Sequence, residues 1–528
     1  MIFRFIILFV LLNTTLSLSA QIGYSPHFPH YLKEVVNDTL FFKGEIILKK
    51  KIAKKDSTYK QATKVSYNLQ NIGEWSVLPS GNRVWRLKMT SKKASSLSVM
   101  FNKFKLPKGG MLYMYDDNKK EIIGPYTSLM NPKNGKLGTW ILRSNKIWLL
   151  YVEPKDQRDK GTLSICEIIH GYNSENQLKS KKTTQLKAAQ CLNNARCDVE
   201  NTRINALKDH LIHSVVLINT GTYFCTGVLI NTTLNNQKPY ILTAKHCVNN
   251  NDPAFWSFRF NFLDDKSACS NSSIPSFSSL EVSNGAKIIA QNERSDFALL
   301  EIEGALDSSW NLVWAGWNRQ IVSPEYSFSL HHPTGNTMKL AVENNILEQR
   351  TIDFSDNLTK IWAVSEKNDG WEIGVTEKGS SGSPLFNDKG QVIGQLAGGN
   401  AACVNGVTNN LDDWFGRFYV SWDSDISPLK SLNSWLDPLE SNISEINMLI
   451  PNTDYSKAII FPNPATSVLK INSPFIDYYV YDVKGKLVLS NNKEQSLEIN
   501  VNTLSTGKYF LVAITPNGQK IIRQFIKN

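Results

Sequence analysis

Long apolar runs, closely spaced cysteine pairs and histidines are all scarce in this 528-residue chain. Beyond the first twenty residues no stretch reaches the ~18 apolar residues that a membrane-crossing helix needs. No two cysteines stand at CxxC spacing beside a matching pair of histidines, which argues against a structural zinc site, and no metal is expected. No glycine-rich nucleotide loop, redox motif or nucleic-acid module is present, so neither a cofactor nor nucleic acid is expected. Only eight histidines are available for acid–base chemistry.

What is present describes an exported globular protein. A hydrophobic content of 41% with 20% charged residues suffices to bury real cores, and the length predicts two to four folding units. Phe3 to Leu12 form an apolar stretch behind Arg4, followed by small residues ending in Ala20. Residues 1–20 therefore read as a secretory signal.

Charge divides the chain. Residues 21–187 carry a balance of +17, whereas residues 188–450 carry −11. Opposite fields on one chain favour docking of those parts on each other over binding of an external polyanion. The cysteines divide at the same place: Cys166 stands alone in the basic part, while Cys191, Cys197, Cys225, Cys247, Cys269 and Cys403 lie in the acidic part. Six in an exported domain can form three disulfides.

Residues 25–170 alternate apolar and polar runs (VWRLKM, SLSVMF, MLYMYD, TWILR, WLLYVE) around turns such as PKGG, an all-β pattern. The lysine-rich stretch from Ser174 to Lys187 reads as an exposed, cleavable link. From Cys191 to about Ile450 come further strand-like runs (SVVLINT, CTGVLI, PYILTA, FALLEI, GQVIGQLAGG) and a closing helix-like SPLKSLNSWLDPL. Many short strands and one terminal helix suit a pair of Greek-key barrels. Residues 456–528 read as a small β-sandwich.

Three short motifs in the middle region carry chemistry. His246 ends the apolar run in LTAKHCV, directly before a cysteine that can fix its orientation, as a general base requires. Asp296 in ERSDFALLEI heads a strongly apolar strand, where a carboxylate is unusual unless it meets a partner such as an imidazole. Ser381 lies in Gly379-Ser380-Ser381-Gly382-Ser383-Pro384. A serine hydroxyl attacks a carbonyl only with a base to take its proton and N–H donors for the oxyanion, and Gly379 permits a backbone that aims its amide with that of Ser381. Taken singly, these residues could be a core histidine, a strand-end cap and a solvated turn; the order His, Asp, Ser is the stronger signal.

The runs CTGVLIN, PYILTAKHC, SDFALLEI and GSSGSP resemble the chymotrypsin-fold serine proteases, most closely the bacterial lysyl endopeptidases, over about residues 190–440. The resemblance implies a mainly β protein: a double β-barrel trypsin-like domain at 188–450, after a β-rich propeptide at 21–187. It implies His246 as base, Asp296 as its orienting carboxylate, Ser381 as nucleophile, and Gly379 with Ser381 as oxyanion hole. It further implies disulfides Cys191–Cys403, Cys197–Cys269 and Cys225–Cys247. In that family an aspartate two residues before an aromatic-Gly-Arg triplet recognises lysine; Asp413 holds that place before Phe415-Gly416-Arg417, and Gly398 and Gly399 resemble the edge that pairs with substrate backbone. Asp412 is expected to be solvated, and His331 and His332 to be structural. Ala397 and Lys245 depart from the family's more familiar residues.

Serine at 380 replaces the acidic residue that many trypsin-like zymogens pair with a new N-terminus, so activation is expected to work otherwise. The propeptide is expected to act as intramolecular inhibitor until cleavage between Lys187 and Ala188. FPNPA, VYDVKGK and LSTGKYFLV resemble C-terminal sorting domains of the type IX secretion route, implying that machinery as partner and a secreted or cell-surface location. The expected function is a monomeric, secreted endopeptidase cutting protein or peptide substrates after lysine. The alternatives are arginine-specific or broader trypsin-like cleavage, or an inactive trypsin-fold binding or adhesion protein.

Overall fold

The structure is a computed structural model that describes residues 32, 45–48, 60–171, 191–249, 251–264, 281–354, 356–423, 425, 427–451, 460–514 and 520–528. The expected signal (1–20), Lys187, Ala188 and Cys269 lie outside the described residues. No helix among the described residues is long and apolar enough to cross a membrane.

The alternating runs of the N-terminal part form two sheets. One has six strands, ordered Glu45–Leu48, Arg83–Ser91, Lys146–Glu153, Met111–Asp116 and Ile122–Thr127, with Glu74–Val77 also paired to Arg83–Ser91. The other has four, ordered Lys60–Asn68, Thr162–Gly171, Ser96–Lys105 and Leu137–Gly138. Leu87, Leu149, Phe101 and Ile165 share one fully buried cluster.

The middle segment is built on two larger sheets. The first has seven strands in the order Val282–Asn284, Ser257–Arg259, Val215–Asn219, Phe224–Leu229, Tyr240–Ala244, Phe297–Ile302, Ala286–Asn292, and all its pairings are antiparallel. All five residues of Val215–Asn219 and of Tyr240–Ala244 are buried, which explains why they read as continuous apolar runs and not as alternations. The second sheet, of ten strands, runs from Asn193–Asn194 through Lys339–Glu343, Ser327–His331, Pro384–Phe386, Val392–Gly399, Asp413–Arg417 and Asn357–Val364 to Glu348–Phe354. Both sheets supply one cluster in which Leu242, Leu299, Leu330 and Phe386 are fully buried.

The helical content differs from the expectation. The closing segment is not one helix but a turn of 3-10 helix at Pro428–Lys430 and a single α-turn at Asn433–Leu436; Pro428 and Pro438 bound a stretch too short to propagate. The longest helix among the described residues is Thr202–Leu211, capped by the Asn201 side chain on the amides of Arg203 and Ile204, with Ile204, Lys208 and Leu211 buried at helical spacing.

The N-terminal module sits against the seven-stranded sheet. Leu217, Phe262 and Val282 of the middle segment join the module's own apolar cluster, and Phe224 packs against it. Asn284 Nδ2 donates to Gly138 O at 2.6 Å, Asn134 Nδ2 to Glu303 Oε2 at 2.6 Å, and Lys136 Nζ pairs with Asp252 Oδ2 at 2.7 Å. Burying each large apolar side chain stabilises by about 1.5–3 kcal/mol, against under ~1 kcal/mol for an exposed ion pair, so this contact is held mainly by its apolar centre. The C-terminal part forms a separate five-stranded sheet of Ile460–Phe461, Val468–Asp482, Leu487–Asn500, Gly507–Ile514 and Lys520–Lys527 around its own cluster of Leu469, Val480, Leu511 and Phe525.

Candidate active site

His246 lies in the short turn Lys245–Val248 at the end of the buried strand Tyr240–Ala244. Both oxygens of Asp296 engage it: Oδ2 lies 2.7 Å from the ring Nδ1, and Oδ1 accepts from the His246 amide at 3.0 Å. Ring and backbone are thus fixed by one carboxylate. With Nδ1 engaged by Asp296, a neutral ring presents Nε2 as its proton acceptor. The Cys225–Cys247 disulfide and the Tyr223 hydroxyl, which donates to Cys247 O at 2.8 Å, brace the same turn.

Asp296 is 5% exposed and has a left-handed backbone, φ 53°, which aspartate tolerates better than bulkier residues. The second sheet holds its loop. Gln395 Nε2 donates to Ser295 O at 2.6 Å, and the Lys360 amide donates to Arg294 O at 2.7 Å. The carboxylate therefore belongs to one sheet by chain and to both by support.

Ser381 is carried by the turn before strand Pro384–Phe386. Thr226 of the first sheet grips this turn, its amide donating to Ser381 O at 2.8 Å and its Oγ1 to Gly379 O at 3.0 Å. Gly379 has φ 95°, and a Cβ there would stand 2.8 Å from the Thr334 amide nitrogen, so only glycine fits. Ser380, Gly382 and Ser383 each donate their amide to a backbone carbonyl. Among the described residues the amides of Gly379 and Ser381 donate to no protein acceptor. Two free amides flanking a serine are the donors an oxyanion needs.

The turns that carry His246 and Ser381 come from different sheets and approach each other at the disulfide, where Cys247 Sγ lies 3.9 Å from Ser381 O. No hydrogen bond joins Ser381 Oγ to His246 among the described residues; such bonds are commonly long without substrate and tighten on binding.

Asp413 opens strand Asp413–Arg417 and is 1% exposed. Its Oδ2 accepts from Trp371 Nε1 and Thr376 Oγ1, both at 2.7 Å, and no Lys or Arg pairs with it among the described residues. Burial pushes its carboxyl up from 3.8 to about 7, against the lowering effect of those two hydrogen bonds and of one from the Ala401 backbone. Gly399 and Gly398 lie opposite Asp413 and Trp414 in the sheet. A Cβ on Gly399 would fall 1.9 Å from Asp413 Oδ1, and one on Gly398 would press on the Phe354 ring at 2.9 Å.

Asp412 is not solvated as expected. It is 9% exposed, its Oδ2 meets Arg350 Nη1 at 2.5 Å, and its Oδ1 accepts from the Glu366 amide at 2.7 Å. The strand's alternation turns it to the opposite face from Asp413, where Arg350 of the neighbouring hairpin waits. His331 and His332 are buried and part company as expected: His331 Nδ1 lies 2.8 Å from Ser380 Oγ, and His332 Nδ1 lies 2.9 Å from Asn336 O. Of the implied disulfides, Cys191–Cys403 and Cys225–Cys247 are formed. Cys166 is a free thiol, and Lys245 pairs with Glu293 at 3.0 Å.

Three contributors escaped the sequence reading. Phe354, from the hairpin of Glu348–Phe354 and Asn357–Val364, meets the His246 ring edge-on at 5.8 Å between centroids. FSDN signals a hairpin turn, but nothing local says where its tip lands. Trp371 and Thr376 stand just before GSSGSP, and their role follows only from their bonds to Asp413.

The two-sheet β segment is similar in sequence to a family of endopeptidases. Residues 186–416 match the family described as "Lysyl endopeptidase, C-terminal domain", and residues 459–528 match "Secretion system C-terminal sorting domain". The resemblances stated from the sequence are borne out for both segments. A lysyl endopeptidase of Pseudomonas aeruginosa is 27% identical over 203 residues, 38% of this chain and 42% of that protein, so the chain spans well under half the length of this relative. Among solved structures, the active form of the Rv3671c protease from M. tuberculosis is similar at 14% identity and TM-score 0.29, covering 42% of this chain and 82% of the other. The MamO protease domain from Magnetospirillum magneticum is similar at 12% identity and TM-score 0.27, covering 40% and 95%.

Proposed function

We propose that this protein is a secreted serine endopeptidase that cleaves on the carboxyl side of lysine. His246 takes the proton of Ser381 as the hydroxyl attacks the scissile carbonyl, Asp296 holds the ring and stabilises the imidazolium, and the amides of Gly379 and Ser381 receive the oxyanion. The tetrahedral adduct collapses to an acyl-enzyme as His246 protonates the leaving amine; water, activated by the same imidazole, then releases the acid. Gly398 and Gly399 pair with the substrate backbone.

The observation that carries the choice of lysine is Asp413: a fully buried carboxyl with neutral donors and no cation of its own among the described residues. An isolated buried charge is expensive, and the ammonium of a lysyl side chain would supply the missing partner and draw the carboxyl back to its ionised form. Paired peptides differing only in Lys or Arg at the scissile position test this reading; equal or better cleavage after arginine refutes it. A serine-directed phosphonate that leaves Ser381 unlabelled would favour an inactive binding protein.

We also read residues 1–20 as a secretion signal, 21–187 as an inhibitory propeptide released between Lys187 and Ala188, 188–450 as the protease and 456–528 as the sorting domain recognised by the type IX machinery. An enzyme cutting after lysine could process its own link. Sequencing the N-terminus of secreted protein tests the release point, and an end far from Ala188 overturns it.

A further inference from the structure

In the turn that carries Ser381, the neighbouring side chain points the other way, into the sheet. Ser380 is fully buried, its Oγ lies 2.8 Å from His331 Nδ1, and it accepts from the Glu377 amide at 3.2 Å. His331 ends strand Ser327–His331, all five residues of which are buried. Burial pushes its imidazole down to about 3, so the ring stays neutral at working pH. Whichever partner supplies the proton, Ser380 and His331 form an uncharged, buried link between the serine turn and the sheet core.

That link has a mechanical consequence. For the amides of Gly379 and Ser381 to converge, the intervening residue must turn inward and be held there. An inward-facing carboxylate would need a buried cation, which a newly cut chain terminus could supply. A hydroxyl needs only a neutral partner already present in the fold.

Resting on the peptidase reading above, we infer that His331 is a positioning residue for the oxyanion site. Through Ser380 it fixes the Gly379–Ser381 turn with both amides outward, and no chain terminus takes part. The turn is complete once the second sheet has folded, and proteolytic release unblocks it without building it.

Two measurements on the mature enzyme test this. Acetylating its α-amino group, or adding one residue before it, is expected to leave kcat for a lysyl peptide amide within about twofold; a loss beyond ~100-fold overturns the inference. Replacing the ring, His331→Ala, is expected to lower kcat by about 10²–10³, the effect of losing one oxyanion donor. The affinity for a lysyl aldehyde, which forms the tetrahedral adduct, should fall in parallel, while binding of n-hexylamine in the lysine pocket stays unchanged. His331→Asn, which keeps a nitrogen near the Nδ1 position, should recover at least a tenth of the lost rate. Should His331→Ala not fold, Ser380→Ala removes only one oxygen and should show the same split. An equal fall in hexylamine and aldehyde binding, or no fall in kcat for either variant, sinks the inference while leaving an active wild type intact. A wild-type enzyme that hydrolyses no peptide sinks the peptidase reading itself.

Discussion

Asp296 and Asp413 are both buried aspartates, one on each sheet of the middle segment, and they differ in where their partner comes from. Asp296 has its partner within the chain: the His246 ring and amide use both of its oxygens. Asp413 has only neutral donors, the Trp371 indole N–H, the Thr376 hydroxyl and the Ala401 backbone, and burial pushes its carboxyl up to about 7. A carboxylate satisfied internally can serve the same step in every turnover. One left short of a cation can discriminate between substrates, because only the right side chain completes it.

The largest effects belong to the satisfied side of this contrast. Ser381→Ala should lower kcat by about 10⁵–10⁶ with folding unchanged, leaving a small remainder from binding and the two free amides. Asp296→Asn should lower kcat by about 10⁴ near neutral pH, because the amide would stabilise the wrong tautomer of His246, while KM moves little. Stopped-flow hydrolysis of a lysyl ester reads both. A KM-dominated loss in Asp296→Asn would erase the difference drawn between the two aspartates.

Asp413→Asn should behave in the opposite manner, raising KM for lysyl peptides by about 10²–10³, the scale of losing one partner of a buried charged pair. Its stability effect has a defined sign. A carboxyl at about 7 when folded, against an ordinary 3.8, binds its proton more tightly in the folded state. Its contribution to the fold is therefore fully present below 3.8 and lost as pH rises to about 7. At pH 8 the uncharged Asp413→Asn variant should thus melt no lower than wild type, as calorimetry would show. For the same reason KM of the wild type for lysyl substrates should climb as pH falls through about 7, and this limb should vanish in the variant. A wild-type KM flat from pH 8 to 5 would show that the pocket carboxylate is already paired.

How much of this was legible in the sequence depends on range. His246, Asp296 and Ser381 announce themselves because each ends or heads an apolar run, and strand periodicity is local. Asp413 was found through a short motif. The environment of each was not legible: the Arg350 that claims Asp412 is 62 positions away, and Thr226, which grips the serine turn, is 153 away from Gly379. The closing helix was misjudged for the converse reason, since SPLKSLNSWLDPL has helical spacing but proline at both ends. The opposed charges of the N-terminal and middle parts suggest that they meet. The contact has an apolar centre of Leu217, Phe262 and Val282 that no charge count contains.

A third aspartate completes the contrast at its weak end. Asp252 lies six residues beyond His246 and pairs with Lys136 of the N-terminal module at 2.7 Å, but both side chains are nearly half exposed, at 46% and 40%. Water already satisfies each charge there, so the pair neither orients a reacting group nor awaits a ligand. Lys136→Ala in the full chain should shift unfolding by less than ~1 kcal/mol, whereas Leu217→Ala, in the apolar centre of the same contact, should cost about 2–5 kcal/mol. Thermal unfolding of the two variants side by side decides it. A Lys136→Ala effect as large as that of Leu217→Ala would mean that the charges hold the module in place, and that burial is the wrong measure by which to rank these three carboxylates.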